Sequence, residues 1–478
     1  MRGAFWASLE NWGRQSISLI VFMVLARIVA PADIGLYAIV AIVITLMQVF
    51  LDTGVGDAIV QRSEIDAEHL DAGFWSNMAL SVALALAAAV LAGPIAALFG
   101  EPDLRRLLPV ASLIIVLGSL STVQQALLKR NLDFKPLAIR TLSSILVAGA
   151  LGIWMARTGH GVWALIAQQI TEKAIGTIQL WWRSDWRPRL AFSRPHARDL
   201  LPYSANMIGT RALVFLQKQF DRFFVGLLLG PVALGLYTLA GRILDSFSSI
   251  LFDGVAMASV STFARLQGEA DRLREAVFLV CRFSSLIGFP CFVGLALVAP
   301  DLIRAVFGAK WDGTAEVLRV LALTGIPWLF ATMAAVVTRA SGHMKWFLSM
   351  MSAMVALKVI LLLTFTRLGL YPLIVAFTLG DFAMIPLYVW ITRSMVPMRA
   401  LDYLRCFGDA VLACAVMAAA VLAVQVNLPP EMASWLRCLL PAVAGALAYA
   451  GCVLLVARPT LKRFSALLAI RKGSAAPQ

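Results

Sequence analysis

Long apolar runs, separated by short stretches of charged, proline and glycine residues, follow one another along almost the whole chain. A run of roughly 20 apolar residues is long enough to cross a bilayer core as an α-helix. We count fourteen such runs, at residues 5–29, 34–60, 72–98, 107–127, 137–157, 160–182, 200–228, 232–260, 274–298, 315–338, 346–366, 369–392, 406–427 and 434–457. The pattern predicts an all-α integral membrane protein with about fourteen transmembrane helices and no separate soluble domain.

Part of the sequence is repeated at an offset of about 200 residues: PADIGLYAIV at 31–40 returns as PVALGLYTLA at 231–240, and ALFG at 97–100 as AVFG at 305–308. The two copies of the longer segment lie six runs apart, so they cross the membrane in the same direction. We therefore predict two lobes of six helices related by a pseudo-two-fold axis. Such parallel repeats are typical of transporters, although a duplication kept only for stability is the alternative.

The predicted organisation has four parts. They are an N-terminal six-helix lobe at 1–198, a C-terminal six-helix lobe at 199–400, two additional transmembrane helices at 401–457 and a basic cytoplasmic tail at 458–478. The tail alternates basic residues with leucine and phenylalanine, which favours a helix lying on the membrane surface. Docking to a partner is the alternative.

Composition excludes a soluble protein. Only 14% of the 478 residues are charged and 60% are hydrophobic, whereas a soluble domain is about a quarter charged. The net charge of +14 comes largely from the connections on one side of the membrane, for example Arg183, Arg187 and Arg189 after the sixth run. The positive-inside rule then places both termini in the cytoplasm. No long basic loop supports nucleic-acid binding.

A basic stripe interrupts the seventh run. Arg211, Lys218 and Arg222 are spaced by seven and four residues, which places them within roughly 40° of one another on a helix. Asp221 lies beside the stripe. A charge in the membrane is costly, so it faces a cavity or a partner, and a basic stripe suits an anionic group such as a phosphate. The alternative is that Lys218 and Arg222 snorkel to the interface.

Other runs carry further polar residues, which predict a hydrated cavity of mixed charge. The predicted substrate-binding residues are Arg14, Gln124, Gln168, Arg211, Lys218, Arg222 and Arg242. The candidate ion-coupling carboxylates are Glu172, Asp221, Asp245 and Asp253. Contacts that merely hold helices together are the alternative for Glu10 with Arg14 and for the group around Glu172. The sequence indicates neither a metal site, nor a cofactor, nor a catalytic residue set.

At this point the chain resembles a known family, the Wzx-like polysaccharide exporters and lipid-linked oligosaccharide flippases of the multidrug/oligosaccharidyl-lipid/polysaccharide superfamily. The resemblance covers about residues 10–400. It is carried by segments such as VLARIVAPADIGLYAIV at 24–40, LDTGVGDAIVQR at 51–62, QQALLKRNLDFKPLAI at 124–139 and QFDRFFVGLLLGPVALGLYTLAGRI at 219–243. Their order and spacing, rather than any one of them, make the resemblance specific.

The resemblance implies alternating access and movement of polyprenyl-diphosphate-linked oligosaccharide across the bacterial inner membrane. The related lipid II flippases carry an arginine after a Tyr-x-x-Ala-like stretch at the start of their eighth helix. The resemblance implies that Arg242, which follows Tyr237 and Ala240, matches this arginine. It also implies that Arg14 matches an arginine of their first helix. Asp52 and Asp57 stand in the second run, where those flippases carry basic residues. A polysaccharide polymerase and co-polymerase are candidate partners, besides the glycan substrate and the bilayer.

Two alternatives remain open at this stage. A cation-coupled multidrug exporter of the same superfamily would favour an acidic cavity, against which the basic stripe argues. A membrane enzyme of polysaccharide assembly would need long catalytic loops, which the short connections do not supply.

Overall fold

The computed structural model describes residues 2–51, 56, 59–60, 65–190, 194–429 and 432–456, and the side chains at 2–4, 7, 194–210, 213, 253 and 456 lie outside this description. Within these ranges the regular structure is helical and no β-strand occurs. The predicted all-α class is confirmed. The predicted tail at 458–478 lies outside the described residues, as do Asp52 and Asp57.

The first part of the chain forms seven helices before a long bent one. They are α1 (Arg2–Ile28), α2 (Pro31–Leu51), α3 (Ala67–Phe99), α4 (Leu104–Ser119), α5 (Thr122–Arg130), α6 (Phe134–Arg157), α7 (Val162–Arg183) and the bent α8 (Arg194–Ser248). Gly230 divides α8, because its φ of 79° and ψ of 178° are not helical. Glycine adopts this φ without steric cost, and the proline that follows starts a new helix.

A π-helical turn at Ser249–Asp253 follows α8. The later helices are α9 (Gly254–Arg265), α10 (Ala270–Val306), α11 (Asp312–Leu321), α12 (Gly325–Ala340), α13 (Met344–Phe365), α14 (Leu370–Ala383), α15 (Ile385–Met395), α16 (Ala400–Arg405), α17 (Gly408–Asn427) and α18 (Ser434–Val456).

The described part of each of the fourteen predicted runs overlaps helical structure. Eleven stretches in the described part of the chain are long and apolar enough to cross a membrane. One of them, Val214–Arg265, contains the bend at Gly230, and α1 and α7 fall outside the eleven. The multi-span architecture is therefore confirmed, while the number of crossings stays a prediction.

The chain divides into two units, Met1–Thr238 and Leu239–Gln478. In the first unit α3 packs along α4, and α6 packs against both α1 and α7. In the second unit α10 packs against α11 and against the last pair of helices, α17 and α18. The lobe limits drawn from the sequence at 198 and 400 stay predictions.

The two copies of the repeated motif touch each other inside the first unit. A Cβ atom on Gly35 would lie 1.7 Å from the carbonyl oxygen of Pro231, and one on Gly235 would lie 2.0 Å from the carbonyl oxygen of Pro31. The contact is reciprocal, as expected for a local two-fold relation. Only glycine leaves room for backbone to approach backbone so closely.

The repeat also returns in the backbone conformation. Loops that follow equivalent helices contain a residue with positive φ, at offsets of about 210 residues. The pairs are Gly100 (70°) with Gly308 (91°), Leu132 (55°) with Gly342 (73°), and Gly159 (85°) with Gly369 (99°). Leu132 is the one residue other than glycine that has a positive φ among the described residues.

We expect the substitutions Gly35→Ala and Gly235→Ala each to lower the free energy of unfolding by about 1–3 kcal/mol, because the new methyl group would overlap a backbone oxygen that cannot rotate away. The measurement is the thermal unfolding of the purified protein in detergent. Gly93→Ala is the matched control, since a Cβ there meets nothing within 4 Å. Equal stability of all three variants would contradict the close approach.

We expect Leu132→Gly to raise the free energy of unfolding by about 1 kcal/mol, because it removes the left-handed strain of an L side chain. The larger entropy that glycine gives to the unfolded chain partly offsets this gain. Gly342→Leu, at the equivalent position of the second unit, should have the opposite sign. Changes of the same sign in both variants would contradict this explanation.

Candidate functional site

The first unit contains a cavity of about 430 Å³ among its helices. Helices α2, α3, α4, α5, α7 and α8 contribute to its wall. The lining side chains include the polar or charged residues Gln48, Asn77, Thr122, Gln125, Lys129, Lys173 and Arg211. Apolar side chains and glycines complete the wall, among them Leu51, Gly56, Ile114 and Gly118.

A break between α4 and α5 produces one face of the cavity. Thr122, Gln125 and Lys129 are spaced by three and four residues, so they share one face of α5. The break leaves backbone carbonyl groups without helical partners, which is costly in a membrane. Side chains of α7 satisfy two of them: the Thr177 hydroxyl donates to the carbonyl oxygen of Leu117 at 2.8 Å, and the Trp181 indole N–H donates to that of Leu120 at 2.9 Å.

An apolar cluster adjoins the same part of α5. Its buried members are Ile59, Leu70, Phe74, Val123 and Ala126. Trp181 and Trp186 pack against Phe74 with ring centroids 6.3 and 5.8 Å apart.

The connection after α7 is tied to α3. The backbone N–H of Arg189 donates to the Asp71 carboxylate at 3.0 Å, and the Trp75 indole N–H donates to the Arg189 carbonyl oxygen at 2.7 Å. These two hydrogen bonds hold the connection after α7 against α3.

The cavity is electropositive. Its lining residues within the described part of the chain carry three cations, Lys129, Lys173 and Arg211, and no carboxylate. Arg211 is half-buried, and both lysines are exposed. Low local dielectric strengthens the attraction of such cations for an anion. The arrangement can therefore bind a negatively charged group.

Neutral hydrogen-bonding groups lie beside the cations. Asn77 is only 3% exposed; its amide N–H donates to the Thr122 hydroxyl at 3.0 Å, while its carbonyl oxygen finds no donor among the described residues. The Gln125 amide N–H donates to the Ser121 hydroxyl at 2.9 Å. A buried acceptor without a donor is a position where a ligand hydroxyl gains a hydrogen bond.

The three cations of the predicted basic stripe lie in different environments along α8. Arg211 lines the cavity, whereas Lys218 is exposed and Arg222 is half-buried. Asp221 is buried and accepts a hydrogen bond of 3.3 Å from the Tyr237 hydroxyl, across the bend at Gly230. The stripe thus brings one of its three cations into this cavity.

The predicted glutamines lie outside the cavity wall. Gln124 is fully buried, and neither its amide nitrogen nor its oxygen has a partner among the described residues. Gln168 packs over Gly152 at the contact of α6 and α7. A Cβ added to Gly152 would lie 3.0 Å from the Cβ of Gln168.

The remaining predicted residues are spread over both units. Arg14 is exposed and its guanidinium lies 3.4 Å from the Asn11 side-chain oxygen. Glu172 lies close enough to Arg140 to interact electrostatically with it. In the second unit Arg242 is half-buried and Asp245 is exposed. The side chain of Asp253 lies outside the description.

Sequence reasoning did not select Asn77, Lys129 or Lys173 as ligand-binding residues. Lys129 follows an apolar run, where the positive-inside rule alone accounts for a basic residue. Lys173 belongs to the group around Glu172, for which a contact between helices is the alternative. The signal that could have found them is the spacing of Thr122, Gln125 and Lys129 on one helical face.

Comparison with known proteins gives a family and a fold. The family described as polysaccharide biosynthesis protein matches residues 24–316. Among solved structures, the lipid II flippase MurJ in an inward closed conformation aligns with a TM-score of 0.75 at 15% identity, covering 95% of this chain and 99% of that one. An inward-facing multidrug resistance MATE family transporter aligns with a TM-score of 0.63 at 16% identity, covering 80% of this chain and 94% of that one. These likenesses show a shared fold.

Bacterial proteins of polysaccharide biosynthesis are similar to this chain in sequence. The succinoglycan biosynthesis transport protein ExoT of Rhizobium meliloti is 26% identical over 68% of this chain and 65% of its own length. The lipopolysaccharide biosynthesis protein WzxC of Escherichia coli is 24% identical over 68% of this chain and 66% of its own length. The match spans less than two thirds of either relative. Because the family match extends over more than half of the 478 residues, this chain belongs to the polysaccharide biosynthesis protein family, as the resemblance predicted.

Proposed function

We propose that this protein is a flippase that moves polyprenyl-diphosphate-linked oligosaccharide, a precursor of surface polysaccharide, across the bacterial inner membrane. The observation that carries the proposal is the cavity of the first unit, with Lys129, Lys173 and Arg211 in its wall and no carboxylate among its described lining residues. The names of the relatives and the shared fold support it.

The chemistry of the cavity fits the two polar parts of such a substrate. A diphosphate carries negative charge, and Lys and Arg bind phosphate oxygens through charge-assisted hydrogen bonds. Sugar hydroxyls can donate to the Asn77 carbonyl oxygen and exchange hydrogen bonds with Thr122 and Gln125. The polyprenyl chain needs no polar partner and can remain in lipid.

Transport would proceed by alternating access, in which the substrate site opens first to one side of the membrane and then to the other. In this proposal both termini are cytoplasmic, and the protein acts as a transporter without catalysing a covalent step. Lys218, Arg222, Arg242 and Arg14 remain candidate contacts for the substrate at other stages of the cycle, and Asp221, Asp245, Asp253 and Glu172 remain candidates for ion coupling. A polysaccharide polymerase and co-polymerase are the proposed partners.

A cation-coupled multidrug exporter is the second candidate, because a MATE family transporter shares the fold. Binding a cationic drug would require carboxylates at the binding site. The lining residues of the described cavity argue for the anionic cargo instead.

We expect the double variant Lys173→Gln/Arg211→Gln to lower export at least tenfold, because each lost charge-assisted hydrogen bond to a phosphate is worth about 1.5–3 kcal/mol. The measurement is the sidedness of labelled lipid-linked glycan in cells whose sole copy of the protein is the variant. Glycan should accumulate facing the cytoplasm, and surface polysaccharide should fall in parallel.

Arg105→Gln is the matched control, since Arg105 is an exposed cation at the start of α4 and does not line the cavity. It should leave export within about twofold of the unsubstituted protein. Normal export by the double variant at normal protein abundance would overturn the role of the cavity. Lipid-linked glycan that still reaches the periplasm when the protein is deleted, with altered drug tolerance, would favour the drug exporter.

The neighbouring amides Gln124 and Gln125 provide a second test. We expect Gln124→Met to keep export and stability, because an apolar side chain of similar size replaces buried polar atoms that lack partners. Gln125→Met removes a polar group from the cavity wall and should lower export severalfold at equal protein abundance. Loss of export with Gln124→Met alone would reverse the assignment of the two residues.

A further inference from the structure

A second basic cavity, of about 520 Å³, lies on the first unit where α6 begins and α7 ends. Its charged lining residues are Asp133, Lys135, Arg140 and Arg183. Three cations therefore face one carboxylate. Both helix ends lie where the apolar runs meet their flanking polar residues, which is the level of lipid head groups.

The sides of this cavity are apolar and exposed. Trp182 is 84% exposed and Ile139 is 52% exposed, and both line it. On a membrane helix such side chains face lipid, and tryptophan is enriched at the interface between lipid and water. The cavity therefore opens toward the bilayer as well as toward water.

Arg140 supplies buried donors at this site. Its Nε and Nη1 atoms are buried and find no hydrogen-bond acceptor among the described residues. The guanidinium packs beside Gly176 of α7, where an added Cβ would lie 3.5 Å from Nε, an ordinary van der Waals distance. Glu10 and Glu172 interact with Arg140 electrostatically, so the protein partly balances this cation. The exposed cations Lys135 and Arg183 supply the remaining attraction at the mouth.

An apolar cavity of about 410 Å³ adjoins the basic one and shares Trp182 with it. Its wall follows α7 from Trp181 and Trp182 back to Ala174, and includes Leu117, Leu120 and Ile178. From Ala174 to Arg183 is about 13 Å along a helix. The two cavities together offer cations for a head group and a groove for part of an acyl chain.

We propose that the surface formed by the start of α6 and the end of α7 binds a membrane phospholipid with an anionic head group. Lys135, Arg140 and Arg183 contact the phosphate, and an acyl chain lies along Trp182 and the adjoining apolar groove. Basic pockets between membrane helices bind anionic lipid head groups by this combination of charge and apolar contact. The site shares no lining residue with the transport cavity and does not depend on the proposed cargo.

The test is binding of phosphatidylglycerol with brominated acyl chains to the purified full-length protein in mild detergent, followed by quenching of tryptophan fluorescence. We expect saturable quenching that brominated phosphatidylcholine reproduces only at much higher concentration. Lys135→Gln and Arg183→Gln should each weaken binding about fivefold, and the double variant about 25-fold. Trp182→Phe should remove much of the saturable quenching.

Arg157→Gln is the matched control, because Arg157 is an exposed cation at the opposite end of α6. It should leave the affinity within about twofold, as should the charge-conserving Arg183→Lys. Thermal unfolding of every variant separates a lost site from a lost fold. Equal affinity for both lipids, an equal loss with Arg157→Gln, or competition by inorganic phosphate as effective as that by phosphatidylglycerol would overturn the proposal.

Discussion

The crossing of two backbones at Gly35 and Gly235 is the constraint on which much of the first unit depends. Each glycine lies against the carbonyl oxygen of a proline from the other copy of the motif. Without a hydrophobic driving force between helices in lipid, close packing of small residues is what holds such a contact.

The same motif then places a tyrosine two residues after each glycine. The Tyr37 hydroxyl accepts a hydrogen bond from the Gln169 amide of α7, and the Tyr237 hydroxyl donates to Asp221 across the bend of α8. The two copies of one short sequence therefore position α2 against α7 and join the two parts of α8 across the bend at Gly230. Helices α2, α7 and α8 all contribute residues to the cavity wall.

The all-α class, the multi-span architecture and the repeated motif follow from the sequence, whereas the site does so only in part. Apolar length predicts helices because a single segment crossing the lipid satisfies all its backbone polar groups within itself only as a helix. It gives no information on rotation about the helix axis, and neighbouring residues on a helix point about 100° apart. Gln124 is thus buried while Gln125 lines the cavity. Charge identity alone does not separate Arg211, which lines the cavity, from Lys218, which is exposed.

Helix α7 illustrates how one segment serves two environments. Lys173 lines the electropositive cavity, whereas Glu172, its neighbour, lies near Arg140 on α6. Trp181 packs inward on Phe74 while Trp182 faces outward. Because the Glu172 carboxylate lies near Arg140 and not in the cavity wall, the cations of that wall can attract an anion. The positive sign of the cavity therefore depends on the rotation of α7, which its contacts with α2, α4 and α6 fix.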